Sequence, residues 1–162
     1  MRIDSHLDKI ARIGALRGNL DPLGHFELWY WATLTAGTNV YNVCLHLAEI
    51  TPDDPVFSTI PGVHLVAAPD GSYRRELREP GDVSHVGWPA IPGPLPPDIV
   101  DLEESMHAIE QYRDPCLRGT TRPTPEIAAD VERQFARVLA ILAARRRNAV
   151  RCDDPVRVGV GS

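Results

Sequence analysis

Residues 21–50 read DPLGHFELWYWATLTAGTNVYNVCLHLAEI, and they are the most apolar segment of the chain. Asp21 before Pro22 is typical of a helix cap with proline at the first helical position, and Thr51 before Pro52 ends the pattern. The segment predicts a single helix about 45 Å long at ~1.5 Å per residue. Because apolar side chains occupy more than one of its faces, we expect this helix at the centre of the core or of a dimer.

Three shorter helices are predicted around the central one. Apolar residues recur at every third or fourth position over residues 5–17, 98–114 and 124–149, which favours amphipathic helices there. The last residues of the chain lack this periodicity. The pattern therefore predicts a single domain over residues 1–150 and a flexible tail over residues 151–162.

A proline-rich crossover separates the second and third helices. Residues 51–97 hold ten of the fifteen prolines, which excludes a long helix in this segment. Within it, residues 63–67 and 72–77 flank the turn tripeptide Pro69-Asp70-Gly71, which indicates a small β-hairpin. The rest of the crossover is interpreted as a strap packed on its own helices, a lid over a pocket, or an arm reaching a second subunit. The predicted fold is all-α: a four-helix bundle with a long Pro-rich crossover that carries a hairpin.

Charge and cysteine content exclude several classes of function. Seventeen basic and twenty-two acidic residues give a formal charge of -5, which disfavours nucleic acid and anionic lipid as partners. The three cysteines form no C-x-x-C pair, and no nucleotide-binding or serine-hydrolase motif occurs. No segment has the pattern of a membrane span or a secretory signal, so we expect a cytoplasmic protein.

A stripe of polar residues runs along the central helix. Thr35, Asn39, Asn42, His46 and Glu49 recur every three or four residues and share one face. On a peripheral helix this stripe is the solvent face. On a central helix it faces a polar pocket or a symmetry-related copy, because buried amides and imidazoles need partners.

The third helix carries a second polar set, Glu103, His107 and Glu110, at the edge of its apolar face. Solvent-side ion pairing explains this set, but two imidazoles among carboxylates inside a bundle also suit acid/base chemistry or a divalent transition metal. The candidate metal ligands are His46, Glu49 and His107. A di-iron site is disfavoured, because Glu104-x-x-His107 provides only one copy of the required motif.

Two hypotheses of function follow. The favoured one is a non-enzymatic helical binding or accessory module, in which Trp29, Trp31 and Trp88 line a groove with the polar stripe for a small molecule or a protein partner. The alternative is an enzyme that uses His46 and His107 as metal ligands or as an acid/base pair, with Glu103 and Glu110 beside them. A homodimer is expected in either case, since the central helix has more apolar surface than three short helices readily cover.

Overall fold

A computed structural model describes residues 1–56, 58–60, 62–78 and 81–152 of the chain. In this part the chain is mostly helical, with a small antiparallel sheet between the second and third helices. The elements are α1 (Ile3–Gly18), α2 (Phe26–Leu47), β1 (Ser58–Ile60), β2 (Val63–Ala67), β3 (Tyr73–Leu77), α3 (Pro97–Glu110) and α4 (Pro125–Cys152). Among the described residues, none of the helices has both the length and the hydrophobicity of a membrane span.

The helix at the centre of the core is α2, as the sequence predicts. Sixteen of its 22 residues are buried, and it packs against α1, α3 and α4. The Tyr30 hydroxyl donates a hydrogen bond of 2.7 Å to the Ile109 carbonyl, and the Tyr41 hydroxyl donates to the Glu103 carboxylate. Most of the apolar surface on which the homodimer was predicted is therefore covered by helices of the same chain, and the homodimer stays a prediction.

Both ends of α2 lie inside the predicted range of residues 21–50. At the start, the Asp21 carboxylate accepts hydrogen bonds from the amides of Leu23 and Gly24, which forms a separate turn before the helix. At the end, Glu49 adopts a left-handed conformation with φ 57°, and the Ile50 amide donates to the Leu45 carbonyl at 3.0 Å. This closing motif satisfies the last carbonyls and stops the helix at Leu47.

The other helices follow the predicted ranges closely, with two differences. The third helix ends at Glu110 instead of residue 114, and a short π-helical turn, Asp114–Arg118, follows it because Pro115 has no amide hydrogen to continue the ladder. The fourth helix continues to Cys152, so the first two residues of the predicted tail are helical. The remainder of that tail, residues 153–162, lies outside the described residues.

The predicted hairpin is present, and a third strand that the sequence did not predict extends it to a small antiparallel sheet. Strands β2 and β3 pair antiparallel from Val63↔Leu77 to Ala67↔Tyr73, and β1 adds a third strand on the other side of β2. Asp70 stabilises the turn by accepting hydrogen bonds from the amide and the hydroxyl of Ser72. The centre of the core lies among the helices, and the sheet lies outside it.

After the sheet, the crossover returns to the helices and enters the core. Asp82, Val83 and Val86 are buried, and Ile91 and Leu95 pack against the core from outside. Trp88, which the sequence predicted to line a groove, is 62% exposed. Residues 82–86 thus form a strap on their own helices, and this strap brings Asp82 to the interior.

Candidate ligand cavity and buried histidine cluster

One face of α2 lines a cavity of about 440 Å³. Thr35, Thr38, Asn39 and Asn42 contribute its polar lining, and Trp31 contributes an aromatic surface. These positions are three or four residues apart, which places them on one side of the helix. Four of the binding residues selected from the sequence are therefore brought to one cavity.

The opposite side of the cavity carries charge. The ionisable lining residues come from α1, the strap, the end of α3 and the turn after it, and they are His6, Lys9, His85, Glu110 and Arg113. The Nε–H group of Arg113 is buried and has no hydrogen-bond partner in the described part of the chain. Its distance of 3.6 Å from Asp114 Oδ1 gives an ion pair but no hydrogen bond. Because Arg113 is a lining residue, its unpaired donor favours a ligand that carries an acceptor group.

A cluster of two histidines and one aspartate adjoins this cavity. His6 of α1, His46 of α2 and Asp82 of the strap are all buried. The Nε2 atom of His6 lies 3.0 Å from Asp82 Oδ1, and the Nε2 atom of His46 lies 3.1 Å from the same oxygen. The two ring centroids are 5.4 Å apart. Three separate elements thus bring two ring nitrogens and one carboxylate oxygen, all atoms that can bind a metal ion, to one buried point.

Outer hydrogen bonds fix the orientation of both imidazole rings. Asn39 Oδ1 lies 2.8 Å from His6 Nδ1, and Thr51 lies against His46 Nδ1 with its hydroxyl at 2.8 Å and its carbonyl at 3.2 Å. The amino group of Met1 contacts the second carboxylate oxygen of Asp82. Since Asn39 also lines the cavity, the cluster and the cavity share this residue and His6.

The Asp82 carboxyl is held in its ionised form. Burial alone would raise its pKa, but hydrogen bonds from His46, His6 and the Met1 amino group outweigh burial and hold the pKa well below the usual range for aspartate. The cluster therefore presents a carboxylate, not a carboxylic acid, to the two imidazoles.

The structure does not bring His46 and His107 together. Helices α2 and α3 run antiparallel, and Gly37 lies against Met106, next to His107. His46 is about two and a half turns further along α2, or about 14 Å away at ~1.5 Å per residue. His107 is exposed and lies beside Gly87, so a site that needs both histidines has no geometric basis.

The carboxylates selected with these histidines are dispersed. Glu103 accepts the hydrogen bond from Tyr41, and burial together with this bond raises the pKa of that tyrosine. Glu110 lines the cavity described above. Glu49 and His46 line a second cavity, of about 690 Å³, together with Asp98 and Arg145.

Two of the three selected tryptophans also lie away from the cavity lining. Trp29 is buried, with the Arg17 guanidinium 4.6 Å from its ring centroid, which makes it a core residue. Trp88, two residues after the strap, is exposed and is not part of the lining. Trp31 alone among the three contributes to the described cavity.

His6 and Asp82 were not found from the sequence. A signal for His6 exists, because it falls on the apolar face of α1 between Ile3 and Ile10, where a histidine needs a buried partner. No periodic signal marks Asp82, which lies in the proline-rich crossover.

No protein-family model, no curated protein and no solved structure matches this chain. Its cavity and its buried cluster are therefore the basis for assigning a function.

Proposed function

We propose that this protein is a helical binding module whose cavity takes a small organic anion with a flat apolar group. Arg113 carries the proposal: its buried, unpaired Nε–H group belongs to a residue that lines the cavity. A carboxylate or phosphate oxygen is the acceptor that a guanidinium group prefers.

The rest of the lining suits such a ligand. A volume of about 440 Å³ falls within the range of small-molecule sites, and Trp31 and Leu34 provide apolar contact area. Thr35 and Thr38 each donate their hydroxyl hydrogen to a backbone carbonyl of α2, so the hydrogen-bond donor for the anion is assigned to Arg113 and not to these threonines.

Three compounds of similar shape test the choice of charge. Benzoate, benzamide and benzylamine are titrated into protein treated with a chelator, so that a bound metal ion plays no part in the result. Binding is followed by tryptophan fluorescence and by the Nε–H signal of Arg113 in ¹H–¹⁵N spectra. We expect benzoate to bind most tightly and to shift the Arg113 signal.

Two arginine variants localise the effect. Arg113→Gln removes the donor and should weaken benzoate binding by roughly tenfold, the scale of a hydrogen bond to a charged group. Arg118→Gln changes an exposed arginine outside the lining and should leave binding unchanged. Equal binding of the three compounds, or no effect of Arg113→Gln, would contradict the proposal.

A metal-dependent or acid/base enzyme is the second candidate. It is favoured by His6, which lies in the cavity lining and in the buried cluster, so an ionisable group reaches the place where a ligand would sit. Here His6 takes the place that the sequence gave to His107 as the partner of His46. If the protein is an enzyme of this kind, a bound compound must shift the NMR signals of the His6 ring. A binding module without catalysis does not require such a shift.

The arrangement of the helices and the assembly state belong to the same proposal. The contacts of α2 with α1, α3 and α4, and of α3 with α4, support a four-helix bundle. A homodimer and a cytoplasmic location remain the expectations from the sequence. Light scattering of the purified protein measures the first, and fractionation of the source cells measures the second.

A further inference from the structure

We propose that His6, His46 and Asp82 bind a divalent transition metal ion. One nitrogen from each ring and one carboxylate oxygen lie within 4.8 Å of one another, and all three residues are buried. His6 also lines the cavity, but the anion proposal rests on Arg113 and the metal proposal on these three ligands, so the two proposals depend on different residues.

The hydrogen bonds of Asn39 set the tautomer of His6. The Asn39 amide nitrogen donates to the Thr35 carbonyl at 2.7 Å, so the Asn39 oxygen is the atom that faces His6 Nδ1. An oxygen only accepts, and His6 Nδ1 must therefore carry a hydrogen. The other ring nitrogen, Nε2, then points at Asp82 Oδ1 at 3.0 Å and is the atom left to bind a metal ion.

This geometry suits either a hydrogen or a cation between the ring nitrogen and the carboxylate oxygen. A lone pair facing an anionic oxygen at hydrogen-bond distance is repulsive, and either a proton on Nε2 or a cation removes the repulsion. His46 is placed in the same way, since its Nδ1 atom can donate to Thr51 and leave Nε2 for the cation. A divalent ion bound between the two Nε2 atoms and the Asp82 carboxylate removes the repulsion at both rings.

The partners of the rings are those of metal-binding histidines. Such histidines use one ring nitrogen for the metal and donate the other N–H to a carbonyl, amide or carboxylate that orients the ring. Asn39 and Thr51 occupy these positions here. The separations of 3.0 and 3.1 Å between the Nε2 atoms and Asp82 Oδ1 are close to the ~3.3 Å edge of a tetrahedron with metal–ligand bonds of ~2.0–2.1 Å.

The ligand set indicates which ions to test. Two imidazoles and one carboxylate suit zinc, iron(II), cobalt(II) and manganese(II), and they leave room in the coordination sphere for a further ligand. Calcium and magnesium prefer oxygen ligands and are disfavoured. We therefore use cobalt(II) as a spectroscopic probe and zinc as its competitor.

The experiment titrates chelator-treated, tag-free full-length protein with cobalt(II) and records the visible absorption of the bound ion. We expect saturation at a single ion per chain and displacement by zinc. Asp82→Asn keeps the shape of the side chain but removes its charge, and it should weaken cobalt binding by more than the ~10- to 100-fold that loss of an outer partner costs. His107→Ala removes an exposed histidine outside the cluster and should bind cobalt like the unmodified protein.

A second measurement needs no variant and remains valid if Asp82→Asn fails to fold. Zinc is added to ¹⁵N-labelled protein, and the ring nitrogens are observed through their long-range couplings to carbon-bound hydrogens. Two histidines should show metal-induced shifts at Nε2, and both should keep hydrogen-bearing Nδ1 atoms. The proposal is overturned if neither ion binds stoichiometrically, if Asp82→Asn and His107→Ala bind cobalt equally, or if the shifts fall on other histidines. None of those results bears on benzoate binding, so the metal proposal can fail while the anion proposal stands.

Discussion

Asn42 and Val83 exchange two hydrogen bonds across the interior. The Val83 amide donates to Asn42 Oδ1 at 2.7 Å, and Asn42 Nδ2 donates to the Val83 carbonyl at 3.1 Å and to the Thr38 carbonyl at the same distance. A side-chain amide matches the backbone donor and acceptor of one residue, and it fixes the path of the strap on α2. Because Asp82 is the preceding residue, this pair also positions the carboxylate of the buried cluster.

Replacing Asn42 should therefore destabilise the protein far more than replacing an exposed polar residue on the same face of α2. Asn42→Asp keeps the acceptor for Val83 but loses both donated bonds and buries a charge, for an expected loss of about 2–4 kcal/mol in the free energy of unfolding. Thr35→Asp is the control, because it places a charge on the same face of α2 at an exposed position, where we expect less than about 0.5 kcal/mol. Urea unfolding measures both, and equal losses would refute a role for the Asn42–Val83 pair.

The Asp82 carboxylate should make stability sensitive to acid. The pKa of Asp82 is lower in the folded protein than in the unfolded chain, where it is about 3.9. The ionised carboxylate therefore stabilises the folded protein above that pH, and this stabilisation is lost as the pH falls toward the folded pKa. We expect the difference in urea midpoint between the unmodified protein and Asp82→Asn to be largest near neutral pH and to shrink below about pH 4. A difference that stays constant from neutral to acid pH would contradict this assignment.

The α2 stripe shows how far the sequence predicts the site. Thr35, Asn39 and Asn42 share one face through the 3.6-residue period alone, so their common orientation follows from local geometry. Whether that face meets solvent or a cavity depends on what packs against it. Here the strap packs on the Asn42 end of this face, and the strap follows a path set by hydrogen bonds between residues 42 and 83, which no local pattern encodes.

The pairing of the histidines shows where sequence analysis stops. His46 and His107 each lie on a helix of the expected type, but the antiparallel alignment of α2 and α3 keeps them apart. That alignment is set by contacts between distant residues, such as the Tyr41 hydrogen bond to Glu103. The partners that His46 does have, His6 and Asp82, come from α1 and from a segment without periodicity. Helix faces were predictable, whereas the relative positions of helices and the course of the crossover were not.

Gly37 and Met106 should behave as a coupled pair at the contact between α2 and α3. A methyl group on Gly37 would overlap the end of the buried Met106 side chain. We expect Gly37→Ala to destabilise the protein by about 1–2 kcal/mol, although alanine favours a helix over glycine.

A double-mutant cycle measures the coupling of this pair. Met106→Ala alone should cost about 2–5 kcal/mol through the cavity that it leaves. In the double variant the new methyl group enters that space, so the combined loss should be smaller than the sum by about 1 kcal/mol. Strictly additive losses would show that the two side chains do not meet.

The Cys44 thiol should be unreactive in the folded protein and serve as a reporter of unfolding. Burial raises its pKa to about 12, with a further increase from Asp98 that the Arg145 charge opposes. A raised pKa lowers the thiolate fraction at any pH below it, so labelling should speed up as the pH rises. In a variant with Cys116→Ser and Cys152→Ser, we expect native labelling by a disulfide reagent at pH 8 to be slower than that of a free thiol by roughly a thousandfold. Urea above the unfolding midpoint should restore the normal rate. The companion variant that keeps only the half-buried Cys116 should label faster, and rapid native labelling of Cys44 would be inconsistent with its position in the core.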